Sequence, residues 1–270
     1  MSQTTLALAI VGSVLTSILY LYIGRVLRLR KVSDDGRLAN GMFVLWWHSL
    51  GSLGLLGAGM MGIYVTGNLE VWMYEAYTTF GLLVLFLALW GLQFYLMYLY
   101  TGSRRSFMPL AGFYAALFLA TVALMEYAGA PDRIVDNGWQ LQAEPRLEFS
   151  QAFSLVFVTL IIGPALASAI AYARLYRKTE DRTQKYRIAL VTGAIIVWFG
   201  SSVVGAAAQV NQGLAWQFFS RTIGILGALV ILLAYKPPQW VRAKYGVSGV
   251  EGRVADATRP SEVGTPPRGI

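Results

Sequence analysis

Cysteine is absent from this chain, which excludes disulfides, thiolate metal sites and thiol catalysis. Histidine occurs once, as His48, so bis-histidine haem ligation and the usual histidine-rich zinc sites are excluded as well. Charge is scarce: 13% of residues are charged against 56% hydrophobic, and mean hydropathy is +0.53. Such a balance is abnormal for a soluble domain. No carboxylate pair, nucleophile–base set or metal cluster stands at a spacing that chemistry needs, so neither enzymatic activity nor a cofactor is expected.

What the chain has in excess is long apolar runs, at Leu6–Gly24, Ala39–Thr66, Trp72–Tyr100, Met108–Tyr127, Phe149–Tyr172, Ile188–Gln209 and Ala215–Tyr235. Each is long enough to cross a bilayer as a helix that satisfies its own backbone hydrogen bonds. An all-α, polytopic membrane protein with seven transmembrane helices is expected, with the lipid bilayer as its first partner. The first run comes after Met1–Thr5 with neither a basic leader nor a small-residue cleavage site, and reads as a retained helix.

The net charge of +8 is distributed by side rather than gathered in a folded basic domain, which argues against a nucleic-acid partner. Arg25, Arg28, Arg30, Lys31 and Arg37 follow the first run, and Arg104 and Arg105 follow the third. Arg174, Arg177, Lys178, Arg182, Lys185 and Arg187 lie between the fifth and sixth, with a further group after Tyr235. The alternate connections hold only Arg133 and Arg146. The positive-inside rule then predicts an external N-terminus and a cytoplasmic C-terminus, which an odd number of spans requires.

The chain divides into three regions: a bundle over 1–236, an interfacial segment over 237–246 and a disordered cytoplasmic tail over 247–270, rich in Gly, Pro and charge. Pro237 and Pro238 end the last span, and Trp240, Arg242, Lys244 and Tyr245 suit the lipid headgroups or a docking partner. The external connection 129–148 reads as a polar loop with one tryptophan, Trp139, that caps the bundle or lies at the interface. Two loops echo each other: Ser33-Asp34-Asp35 before Arg37-Leu38-Ala39, and Thr179-Glu180-Asp181 before Arg187-Ile188-Ala189. This suggests a 3+1+3 arrangement of parallel repeats. Gly51, Gly54, Gly57, Gly59 and Gly62 in the second run, Gly163, Ala167 and Ala171 in the fifth, and Gly200 to Ala208 in the sixth mark expected helix contacts. Pro164 should kink the fifth helix.

Ionisable residues inside spans are costly, so each is a candidate site. Arg221 lies about two turns into the seventh run from its outer end, and Glu75 and Glu126 fall at comparable depth in the third and fourth. Arg221 is expected to pair with Glu75, with Glu126 as the reserve. That pair is either structural or part of an outer-mouth site walled by Trp72, Tyr74, Tyr77, Trp216, Phe218 and Phe219. Two readings of His48 stay open, a hydrogen-bonded core residue and a pH-responsive group. The stretch Trp90, Phe94, Tyr95, Tyr98 and Tyr100 reads as packing and interfacial belt.

The segment YEAYTTF is faintly similar to the proton-acceptor segment of microbial rhodopsins, but Arg221 and not a lysine stands in the seventh helix, which argues against a retinal Schiff base. FYLMYLYTGSRR (Phe94–Arg105), Tyr186-Arg187 before an apolar run, and Trp198-Phe199-Gly200 resemble the seven-helix N-terminal sensor region of some bacterial histidine kinases. The resemblance spans Ile10–Tyr235 and implies a sensor in the bacterial plasma (inner) membrane. The chain departs from that family after Tyr235, where a polar tail stands in place of a kinase, so signalling would pass through a separate membrane or cytoplasmic protein. Two function classes remain: a receptor-like or accessory subunit that binds a ligand at its outer mouth or within the bilayer, and a small-solute or proton-coupled transporter built from two three-helix bundles. A transporter should carry matching midplane breaks in both halves. His48 and Pro164 are not in matching helices, which favours the receptor-like class.

Overall fold

The computed structural model describes residues 3–29, 34–128, 134–136, 141–143, 169–207 and 214–247. Within these, the side chains of 3–5, 35, 128, 135, 136, 141–143, 198–207 and 214–221 are not described. The order is α1 (Gln3–Arg28), α2 (Asp34–Val65), α3 (Val71–Thr101), α4 (Phe107–Ala128), β1 (Ile134–Asp136), β2 (Leu141–Ala143), α5 (169–178), α6 (Arg182–Ala207), α7 (Leu214–Tyr235) and α8 (Gln239–Tyr245). The described structure is therefore helical apart from one ribbon. In it β1 and β2 pair antiparallel, with Ile134 opposite Ala143 and Asp136 opposite Leu141. The connection 129–148 is thus not wholly irregular. Asn137-Gly138 falls between the two strands, and an Asn-Gly dipeptide is a strong hairpin signal.

Among the described residues, three helices are long and apolar enough to cross a membrane: Leu6–Arg28, Val71–Thr101 and Phe107–Tyr127. A fourth is added if Thr222–Tyr235 and Gln239–Tyr245, bent by 61°, count as one span. The bend arises at Pro237-Pro238, which offer no backbone N–H to continue α7. The glycines, His48 and the tryptophans of α2 dilute its apolar run. Most of the fifth apolar run lies outside the described residues, including Gly163, Pro164 and Ala167, and so does the tail from Ser248.

Helices overrun the apolar runs at the basic end. α1 continues through Arg28 and places Arg25 and Arg28 in its last turn, where cations oppose the helix dipole favourably. α2 begins at Asp34, with an exposed Arg37–Asp34 pair at 2.7 Å, and α6 begins at Arg182. The Asp181 carboxylate accepts from the Thr183 and Gln184 backbone N–H groups at 3.1 and 3.3 Å, capping α6. Helical backbone bonding is indifferent to whether lipid or water surrounds the side chains, so hydropathy underestimates helix length. α3 stops where Gly102 adopts φ 66° and its N–H reaches the Tyr98 carbonyl at 2.7 Å.

Principal helix contacts link α4 to α3, α3 to α2, α2 to α1, α1 to α7 and α7 to α6. Without a hydrophobic drive between helices in lipid, close backbone approach supplies the dispersion contacts. Gly51 and Gly54 of α2 do this against α1: an added Cβ would lie 2.7 Å from Leu21 Cγ or 2.1 Å from Ser17 Oγ. Gly91 of α3 does the same against the Met42 carbonyl of α2. Gly57 faces the Tyr77 hydroxyl, whereas a Cβ added at Gly59 or Gly62 would meet no described atom within 4 Å.

The main core lies toward the basic end and includes Tyr20, Ile23, Phe43, Trp47, Phe94 and Tyr95. A much smaller cluster, Leu6, Ala9 and Met61, holds the opposite ends of α1 and α2 together.

Candidate ligand site

Hydrogen bonds gather the basic connections at one end of the molecule. Asn40 Nδ2 donates to the Leu27 carbonyl at 3.1 Å, tying α2 to the end of α1. Arg104, in the α3–α4 turn, donates to the Asp34 carbonyl at 2.8 Å. The Tyr186 hydroxyl of α6 donates to the Leu233 carbonyl of α7 at 3.3 Å, and Lys236 Nζ to the Tyr22 hydroxyl of α1 at 3.4 Å. Partial burial, and then the neighbouring Tyr245, raises the Tyr186 phenol above its ordinary pKa.

Inside this end stands an aromatic group drawn from four helices. Phe43 of α2 stacks on Tyr95 of α3, with ring centroids 4.1 Å apart and planes 5° from parallel. Its edge meets Trp47, which in turn packs on Tyr20 of α1. The Tyr95 and Tyr235 hydroxyls share a buried hydrogen bond of 2.8 Å across 140 residues. The Arg187 guanidinium carbon lies 5.8 Å from the Tyr235 ring, and this arginine is only 7% exposed. A buried cation over an aromatic face is a favourable arrangement, because the ring quadrupole replaces lost hydration.

Tyr172 of α5 belongs to the same core and is 3% exposed. Its hydroxyl has no hydrogen-bond partner among the described residues. A buried phenol without a partner is costly, and its retention calls for a reason. Beside it opens a pocket of about 250 Å³. The α3 wall is Gln93, Leu96, Met97, Tyr100 and Thr101, a spacing of i, i+3, i+4, i+7 and i+8 that sets all five on one helix face. The α5 wall is Ala171, Tyr172 and Leu175. The lining is almost wholly apolar, and Gln93 and Tyr172 are among its few polar groups.

The residues expected at the outer mouth lie elsewhere in the chain. Trp72 is 59% exposed, with its indole N–H donating to the Glu70 carboxylate. Tyr77 is half-buried beside Tyr74, with ring centroids 6.2 Å apart. Glu75 is half-buried and Glu126 exposed. The side chains of Arg221, Trp216, Phe218 and Phe219 lie outside the described residues, and the Glu75–Arg221 pairing with them. If that pair exists, Glu75→Ala strands a guanidinium and lowers the melting temperature in detergent. An unchanged melting curve removes the pair. His48 is half-buried and packs against bare backbone: a Cβ on Gly24 would lie 3.0 Å from its Nε2.

From sequence, Tyr95 and Tyr100 read as packing or belt, and Gln93, Tyr172 and Tyr235 drew no assignment. The available signal was Gln93, a lone amide within the third apolar run that heads the helical stripe to Tyr100 and Thr101. Comparison with protein-family models, curated proteins and solved structures finds no match to this chain.

Proposed function

We propose that this chain is a receptor-like, multi-pass plasma (inner) membrane protein that takes a ligand from within the bilayer into the α3–α5 pocket. It then passes a helix shift to a separate membrane or cytoplasmic partner. In this reading seven helices span the bilayer, the N-terminus is outside and the basic end is cytoplasmic. The observation that carries the reading is the buried Tyr172 hydroxyl, without a hydrogen-bond partner among the described residues, beside an apolar pocket. Binding sites of this kind combine apolar walls with a few placed polar groups. The resemblance to kinase sensor regions and the one-sided cation distribution support the same class.

The relay has a physical route. Tyr172 shares a core with Tyr95 and Tyr235. Tyr235 is the last residue of α7, directly before the 61° break into α8. A ligand that moves α5 against α3 disturbs the Tyr95–Tyr235 bond and so the angle of α8. Trp240 and Lys244 of α8 are exposed and Val241 is buried, leaving a face for headgroups or a partner.

The test is the thermal stability of the delipidated full chain in detergent, before and after a total membrane lipid extract is returned. The extract should stabilise the wild type and fail to stabilise Leu175→Trp, whose indole fills the pocket. Tyr172→Phe should leave the bare protein as stable or slightly more so, and weaken the ligand effect about fivefold, as the loss of one net hydrogen bond of ~1 kcal/mol predicts. Equal stabilisation of all three proteins removes the reading.

A further inference from the structure

The α3–α5 pocket lies where a span leaves the hydrocarbon. α3 has 31 residues, about 46 Å at 1.5 Å per residue, against a hydrocarbon core of ~30 Å. Its last turns therefore stand at the headgroup level, and Met97 and Tyr100 are exposed on that stretch. At about 250 Å³ the cavity is smaller than the ~300–1,000 Å³ of sites that enclose a whole drug-sized ligand. It suits one chain of a larger molecule whose remainder stays in the membrane.

The α5 wall continues into charge. Ala171, Arg174, Leu175 and Lys178 keep the i, i+3, i+4, i+7 spacing, so two cations share the face that lines the pocket. Both are exposed, and neither forms an ion pair with a described residue. Of the next carboxylates along the chain, Asp181 is occupied in capping α6, and Glu180 is exposed beyond the end of the helix. Arg105 adds an exposed cation beyond the α3 wall. Tyr172 and Lys178 stand about 9 Å apart along the helix axis at 1.5 Å per residue. Six residues also turn the ammonium about 120° around α5 from the phenol, so the flexible Lys178 stem has to bring it to the phosphate of a lipid whose ester carbonyl meets Tyr172.

Building on the receptor-like reading, we infer that the pocket is a site for an anionic phospholipid. One acyl chain lies between α3 and α5, an ester carbonyl accepts from the Tyr172 hydroxyl, and the headgroup phosphate region is held by Arg174 and Lys178. Cations at a membrane surface favour anionic lipid by roughly fivefold each, so the pair yields about 25-fold selectivity over a zwitterionic lipid of the same chains.

The experiment is native mass spectrometry of the delipidated full chain in mild detergent with equimolar phosphatidylglycerol and phosphatidylcholine of identical chains. The wild type should retain phosphatidylglycerol preferentially, and glycerol phosphate should not compete. The surface double variant Arg174→Gln, Lys178→Gln should bring the ratio close to one, and Leu175→Trp should lose both lipids. Equal retention by the wild type, a ratio indifferent to the double variant, or a neutral lipid bound in preference overturns the phospholipid assignment while the pocket stands. Undiminished retention of both lipids by Leu175→Trp overturns the pocket itself.

Discussion

Gly91→Ala should cost about 2–3 kcal/mol of stability, the upper part of the range for overpacking a close contact. The added methyl would stand 2.6 Å from the Met42 backbone carbonyl oxygen and 3.4 Å from its carbon. A side chain could rotate aside; a carbonyl inside a helix cannot move without shifting α2 as a body. That shift would separate Phe43 from Tyr95, because both lie close to the contact along their helices. Gly59→Ala is the internal control. Its Cβ meets no described atom within 4 Å, so restricting the unfolded chain and improving helix propensity should stabilise by about 0.5–1 kcal/mol. Thermal melts of the full chain in one detergent decide the matter. Equal midpoints for the two variants would mean that α2 and α3 do not approach as closely as Gly91 permits.

Phe43→Ala is the second substitution with a large expected effect. Phe43 is 2% exposed and touches Tyr95, Trp47 and Tyr235, so its removal opens a cavity at the junction of α2, α3 and α7. In water-soluble cores this exchange costs about 3–5 kcal/mol, of which part is transfer from water. Within a bilayer the transfer part is largely absent and the packing part stays, so about 2 kcal/mol is expected. Phe43→Leu, which keeps most of the volume, should lose less than half of that. Intrinsic tryptophan fluorescence gives a second readout, because Trp47 packs on the edge of the missing ring. A Phe43→Ala protein that melts with the wild type and emits at the same wavelength would show that this aromatic junction contributes no packing energy.

Much of the secondary structure was legible from the chain, for a simple reason. Apolar runs of span length admit only a structure that satisfies its backbone internally. Their charge asymmetry predicted which ends belong together, and Asn40, Arg104, Tyr186 and Lys236 tie those ends by hydrogen bonds. Helix ends were less legible: Arg28, Asp34 and Arg182 extend helices into polar surroundings, because hydropathy reports solvent and not backbone geometry. The glycines of α2 announced contacts but not partners: Gly54 meets Ser17, Gly57 meets Tyr77 and Gly59 meets no described residue.

Rare side chains stand out in a sequence, and rarity pointed to the ionisable residues Glu75, Glu126 and Arg221. The pocket instead uses common ones. Tyr172 is one of 15 tyrosines, and nothing local distinguishes it from its neighbours Tyr176 and Tyr186. Amino-acid order alone determined the long apolar runs, the uneven distribution of cations among the connections and the chemistries that no cysteine and one histidine forbid. Only tertiary structure decided that Tyr95 meets Tyr235 across 140 residues, that Arg187 lies over an aromatic ring, and that a phenol on α5 is buried beside an open pocket. Those are relations between helices distant in sequence, fixed by which backbones can approach, and residue order carries no local signal for them.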